Sequence, residues 1–253
     1  MSKHTNNLPL LAALIVGCVS AAAAQATAQA PGNFDGPAEL PRVYVKSSMA
    51  ETPAPGKVWR LKEGDSIQKA LSHAACGDVI ELQPAATFDG SFELPSKSCD
   101  DSHWIILRTG SPDSSLPAEG TRITPCYAGV ASLPGRPQMQ CGSTQNVMAR
   151  IGGSPHQNRI VSNDPGANHY RLVGLEIADT GTNGPSGGFW NLVLLKNADH
   201  IIFDRCWIHG SPTGEDVKGI VFEASSYIAI VDSFISDIHS KTSANGADSS
   251  AIG

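Results

Sequence analysis

The sequence predicts an all-β solenoid, a stack of coils made of short parallel strands. Three observations lead there. First, the block Ile201-Ile202-Phe203-Asp204-Arg205-Cys206-Trp207-Ile208 is echoed by Ile228-Ala229-Ile230-Val231-Asp232-Ser233-Phe234-Ile235 and, more faintly, by Tyr170-Arg171-Leu172-Val173-Gly174-Leu175-Glu176-Ile177. The closing isoleucines, Ile177, Ile208 and Ile235, are 31 and then 27 residues apart. Repeats of this length imply stacked units that share one elongated core. Second, the repeats are rich in β-branched residues, Asn, Asp, Ser and Gly and lack a helical period, which favours strands over helical repeats. Third, the 253 residues include 25 Gly and 17 Pro with only 17% charged residues, a turn-rich composition long enough for one large domain. The net charge of -6 and the lack of a basic stripe argue against nucleic acid as a partner.

Residues 1–30 read as an export signal: Lys3 supplies the positive start, Leu8 to Val19 the apolar stretch, and small residues follow. The apolar run is too short to span a bilayer comfortably. Two processing routes stay open. Ala-x-Ala sites occur at Ala22-Ala24, Ala26-Ala28 and Ala28-Ala30, whereas Ile15-Val16-Gly17-Cys18 resembles a lipobox that would make Cys18 a lipidated N-terminus. On either route the mature chain is secreted, periplasmic or at the cell surface. Residues 31–56, rich in Pro, Ala, Gly and Ser, read as a linker with one extended piece at Arg42-Val43-Tyr44-Val45.

The solenoid is expected over 57–253. Val58-Trp59-Arg60-Leu61 reads as a strand. Asp65 and Gln68 match a capping box that opens a short helix. Ile67, Ala70, Leu71 and Ala74 fall on one face of it, and Gly77 stops it. Asp78-Val79-Ile80-Glu81-Leu82 is the next strand, and Trp104-Ile105-Ile106-Leu107 and Arg122-Ile123 continue the series. The stretch 110–160, with Pro112, Pro117, Pro125, Pro134, Pro137 and Pro155, reads as an excursion from the stack. Regular coils then run from Asn158, with Leu192-Val193-Leu194-Leu195 and Gly219-Ile220-Val221-Phe222 between the echoes. Asp248 to Gly253 resembles the start of another strand, so the coil series is expected to be cut at its C-terminal end, leaving a fragment that would be a monomer at full length.

Asp65-Ser66-Ile67-Gln68-Lys69-Ala70-Leu71, then Cys76-Gly77-Asp78-Val79-Ile80-Glu81-Leu82, then Thr87-Phe88-Asp89-Gly90, resembles the opening of right-handed parallel β-helix proteins of the pectate-lyase-like superfamily. There a short helix caps the stack before its first strand. The resemblance covers about residues 57–253 and is faintest over 110–160. It implies an exported protein acting on polysaccharide, with an acidic-polysaccharide lyase working by β-elimination as the leading reading. A non-catalytic glycan-binding or structural β-helix protein is the alternative.

Of the cysteines beyond the signal, Cys126 and Cys141 bracket a Pro/Gly-rich loop and form one plausible disulfide, Cys76 and Cys99 a second. Cys206, inside an echoed strand, reads as a buried free thiol. For chemistry, Lys241 with His239 is the candidate base pair, since a lyase needs a base whose pKa is tuned by its surroundings. Asp232, Asp237 and Asp248 are candidates for Ca²⁺, which takes several oxygen ligands; the plain alternative for all of them is polar loop residues. His209, Glu215, Asp216 and Lys218 form a second cluster, with a charged turn as the plain alternative. Arg205, Trp190 and Phe189 are candidates for substrate binding, and Arg205 matches Asp232 one repeat on, so an ion pair is the competing reading. Trp207 and Phe234, also matched, read as stacking inside the core rather than as a sugar platform. The motifs of polygalacturonases and the Arg-x-Pro-x-x-Arg run of pectate lyases proper are missing.

Overall fold

The computed structural model describes residues 44–133, 139–153, 159–180, 188–212, 214–240 and 249–253. The export signal, Cys18 and most of the linker lie outside the described residues. Among the described residues no helix is long and apolar enough to cross a membrane.

The chain winds coil upon coil. Strand β1 (Val58–Leu61) is followed by the helix α1 (Ile67–His73). The next coil carries β2 (Val79–Leu82), β3 (Thr87–Asp89) and β4 (Phe92–Leu94). The third begins at β5 (Ile105–Thr109), leaves the stack through the small hairpin β6 (Ser132–Leu133) and β7 (Met139–Gln140), and returns at β8 (Ala149–Gly152) and β9 (Val161–Asn163). Then come β10 (Asn168–Val173), β11 (Leu175–Ala178) and β12 (Asn191–Lys196). After them run β13 (Asp199–Asp204), β14 (Trp207–His209) and β15 (Lys218–Glu223), and last β16 (Ser226–Val231), β17 (Phe234–Ser236) and β18 (Ser250–Ile252). Three parallel sheets result: β1-β2-β5-β10-β13-β16, β3-β8-β11-β14-β17 and β4-β9-β12-β15-β18. This is the all-β parallel solenoid that the echoed blocks imply.

The echo is the strand register itself. Tyr170 pairs with Ile201 and Ile201 with Ile228, while Ile177 pairs with Ile208 and Ile208 with Ile235. Alternation then decides what is inside. Ile80, Leu107, Leu172 and Phe203 stack inward in the first sheet, Ile151, Ile177 and Ile208 in the second, and Val161, Val193 and Ile220 in the third. The turn from the first sheet to the second begins at Gly174, Arg205 and Asp232 in successive coils, all with positive φ, and is one residue long in the first of these and two in the later ones. At Gly174 a Cβ would also lie 2.9 Å from Thr109 and 3.1 Å from Leu116, so that coil needs glycine there, whereas the later coils tolerate a side chain at some backbone cost.

α1 seals the first coil with Ile67, Ala70, Leu71 and Ala74, the face the periodicity indicates. Its cap differs from the expectation. Ser66, not Asp65, accepts from the Lys69 amide (3.2 Å); Asp65 instead accepts from the Lys62 amide, and the Gln68 side chain pairs with the Glu93 backbone. Asp78 explains why an aspartate precedes the β2 strand. It accepts from the Lys57 amide (2.7 Å), the Trp59 indole (2.8 Å) and the Ala75 amide (2.9 Å). Burial pushes its carboxyl up, but these bonds outweigh it and hold the group below its ordinary value.

Both expected disulfides, Cys76–Cys99 and Cys126–Cys141, are present, and Cys206 is free and buried. The excursion folds back over the outside of the first two sheets. Leu116, Ile123, Ala128 and Met148 form a second apolar cluster there with Ile106, Val173 and Trp207. Two expectations are thereby corrected. Arg122-Ile123 is no strand: Ile123 is a buried anchor of the excursion, its amide bonded to the Asp232 carbonyl. Trp207 is not inside the coil; it points outward beside Phe234, as its register with Glu176 requires, and the excursion covers it.

Candidate functional site

The outer face of the second sheet carries the densest set of functional side chains. Alternation turns Ile151, Ile177 and Ile208 inward, so their neighbours Arg150, Glu176 and Trp207 point outward in one row, with Ala178 and His209 in the next. Glu176 is buried, and its Oε1 lies 2.9 Å from Arg150 Nε and 3.1 Å from His209 Nε2. His209 Nδ1 is 2.8 Å from the Gly210 carbonyl, and its ring stacks on Trp207 at a centroid distance of 3.8 Å. Trp207 Nε1 donates to Ser236 Oγ (3.1 Å). Both ring nitrogens of His209 thus face oxygen atoms, Nδ1 the Gly210 carbonyl and Nε2 the Glu176 carboxyl. These residues, with Val130 from the excursion and Asp179, Thr180, Ser211 and Pro212 from the following loops, line a cleft of about 270 Å³. Arg150 remains 41% exposed, so part of its guanidinium faces the cleft.

Beside the cleft lies a buried carboxyl, Asp216. It accepts from the Ser211 amide (2.8 Å) and the Phe189 amide (3.1 Å), tying two loops together. Burial pushes it up to about 6, against those two hydrogen bonds and with help from the charge of Asp179. Gly214 sits between the carboxyls: a Cβ there would be 2.9 Å from Asp179 Oδ2 and 3.0 Å from Asp216 Oδ2.

The residues singled out from the sequence scatter. Lys241 and Asp248 lie outside the described residues. His239 forms an isolated bridge with Asp216, which joins the two clusters read separately in the sequence. Asp232 sits at the corner before β17 and accepts from the Gly120 amide (2.6 Å), while Asp237 follows β17 and takes the Ser236 hydroxyl (3.1 Å). The two stand at opposite ends of β17, so the structure does not bring them together. Arg205, expected to bind substrate, is buried. It pairs with Asp204 (2.8 Å), not with Asp232, and donates to the Pro117 carbonyl (3.0 Å), which pins the excursion. Phe189 is also buried, filling the core, whereas Trp190 beside it is 54% exposed and keeps the role of a sugar-stacking surface open to it. Glu215 accepts from the Ser240 hydroxyl (3.0 Å). Sequence reading missed Arg150 and Glu176. Glu176 had a usable signal, since it stands in the echo where Trp207 and Phe234 follow.

No family model matches the chain, and no curated protein matches it in sequence. Solved structures similar to it include an alginate lyase from Paenibacillus sp. str. FPU-7, at 17% identity and a TM-score of 0.39, covering 67% of this chain and 44% of that one. A mutant form of the PL6 family alginate lyase AlyGC is similar at 15% identity and a TM-score of 0.44, covering 77% of this chain and 22% of that one. The chain therefore spans less than half the length of either protein.

Proposed function

We propose that the protein binds an acidic polysaccharide outside the cytoplasm, in the cleft over β8, β11 and β14. One observation carries this reading: Arg150 and His209 converge on the single carboxylate Glu176 on the cleft floor, which gathers a guanidinium and an imidazole at one point of the cleft. A uronate carboxylate suits the exposed part of the Arg150 guanidinium, which reads carboxylates through paired N–H groups. A coil stack presents its outer faces as long surfaces, which suit a polymer better than a small ligand. Trp190, exposed at the start of the third sheet, offers a ring for stacking on a sugar. The two disulfides accord with an oxidising compartment.

The finer reading is cleavage by β-elimination, favoured by an imidazole, His209, lining the same cleft as Arg150. A base removes the proton beside the uronate carboxylate, whose charge Arg150 neutralises. The electron pair forms the ring double bond as the adjacent glycosidic C–O bond breaks, and the departing oxygen takes up a proton, for which the His209 imidazole at the cleft is our candidate donor. For the base our candidates remain His239 and Lys241, which follow β17 in the sequence.

Affinity electrophoresis through gels of alginate, polygalacturonate or neutral dextran tests the binding. Retardation in an acidic polymer and none in dextran is expected; equal mobility in all gels overturns the proposal. With a retarded polymer, a rise in ultraviolet absorbance from the unsaturated uronide supports the lyase reading. Retention without that rise leaves a binding protein.

A further inference from the structure

A column of rings runs along the starts of β10, β13 and β16, away from the cleft. His169, His200 and Tyr227 occupy matching positions in three coils, all with positive φ. His169 stacks on His200 at 4.6 Å and His200 on Tyr227 at 4.4 Å, while Trp104 stands edge-on to both histidines at 5.0 and 6.1 Å. An apolar ladder would serve as well for packing, so the choice of two histidines calls for a chemical reason.

The neighbours of His169 fix its tautomer. Asn168 donates its amide N–H groups to the Lys97 carbonyl (2.8 Å) and the Gly166 carbonyl (3.0 Å). Its Oδ1 is therefore the atom 2.8 Å from His169 Nδ1, and an amide oxygen only accepts, so Nδ1 carries the hydrogen. In the neutral ring Nε2 then holds a lone pair, yet it lies 3.1 Å from Asp101 Oδ1. A lone pair against a carboxylate is repulsive, so positive charge belongs at that contact, either as a proton on the ring or as a metal ion. The next ring also has a carboxylate at its Nδ1, since His200 Nδ1 lies 3.1 Å from Asp199 Oδ2. Ligand atoms of Asp101, His169 and His200 all fall within 4.8 Å of one another.

We infer that Asp101, His169 and His200 form a site for a divalent transition metal of the Zn²⁺ class. Two imidazoles and a carboxylate suit Zn²⁺ and its neighbours, not the oxygen-seeking Ca²⁺ or Mg²⁺. Asn168 holds His169 in the ligating tautomer, as partners behind metal-bound histidines do. Ligand bonds of about 2.0–2.2 Å bridge donors up to roughly 4 Å apart, so the three groups must draw slightly inward. A metal lies in the plane of each ring that binds it, and the two rings are parallel to within 4°. His200, a quarter exposed, therefore tilts out of the stack on binding, towards the exposed Asp101, while the enclosed His169 stays fixed.

Isothermal titration of untagged, chelator-stripped protein with ZnCl₂ tests this. One equivalent is expected to bind. His200→Phe, which keeps a ring in the column, and Asp101→Asn, at an exposed position, should each weaken Zn²⁺ at least about tenfold and leave retardation in polysaccharide gels unchanged. No Zn²⁺ uptake by the parent protein overturns the inference, because a proton then occupies the His169–Asp101 contact. Zn²⁺ bound with unchanged affinity by folded Asp101→Asn overturns it as well, whatever the fate of His200→Phe.

Discussion

Replacing Asp204 with alanine strands two arginines beneath the excursion. Asp204 Oδ2 accepts from Arg171 Nε (3.2 Å), Arg171 Nη2 (2.7 Å) and Arg205 Nη2 (2.8 Å), and Oδ1 accepts from Arg205 Nε (2.8 Å). Arg171 and Asp204 are fully buried, and Arg205 is 4% exposed. Removing one partner from a buried ion pair leaves an uncompensated charge and costs about 3–5 kcal/mol. Some compensation survives: Arg171 keeps the Thr52 hydroxyl (3.0 Å) and Glu119 (3.5 Å), and Arg205 keeps the Pro117 carbonyl (3.0 Å). The expected loss for Asp204→Ala is therefore near the lower end, about 3 kcal/mol. Urea unfolding followed by circular dichroism, with disulfides intact, measures it. A loss below about 1 kcal/mol is what solvent-exposed pairs give, and it would refute the claim that the excursion seals the outer face of the first sheet.

Two further outcomes are expected. Burial pushes the Cys206 thiol up to about 12, so thiol reagents at pH 8 should leave the Cys206 peptide unmodified in the native protein and label it after unfolding with disulfides intact; rapid native labelling of that peptide would contradict its place in the core. Asp216, raised to about 6 chiefly by burial, binds its proton more tightly folded than unfolded, so its contribution to stability should fall as pH rises from about 4 through 6, by on the order of 3 kcal/mol. Asp216→Asn should remove that fall, and a stability difference between the two proteins that stays constant from pH 4 to 7 would count against the burial argument.

The sequence carried the repeating parts of this molecule well and the single-copy parts poorly. Ile177, Ile208 and Ile235 are legible as a set because these three coils place isoleucine on the same inward row. The α1 face was legible for the same reason, since four apolar residues at helical spacing have one place to go. Alternation fixes which residues share a face but not which face is inward where both are apolar, so Trp207 was put on the wrong side. β8 offers only Ala149, Arg150, Ile151 and Gly152, too short and too plain to signal a strand at the end of a Pro-rich stretch, and Arg150 went unnoticed with it. The corner positions hid their conformation, because Arg205 and Asp232 adopt positive φ at a place where a turn signal would call for glycine or asparagine. The ring column of His169, His200 and Tyr227 was equally silent, since its members stand one coil apart, at the strand starts ahead of the echoed blocks.

The central claim is that Arg150 and His209 read a uronate in the cleft floored by Glu176. The most direct test is the dissociation constant of a uronate oligosaccharide for the parent protein and for Arg150→Gln, measured calorimetrically at low ionic strength. A charge-assisted Arg–carboxylate bond contributes about 1.5–3 kcal/mol, so the substitution should weaken binding roughly ten- to a hundredfold, in protein whose circular dichroism shows that it is still folded despite the loss of the Glu176 partner. Binding of equal strength in both proteins would contradict the claim and move the polysaccharide to another face of the stack.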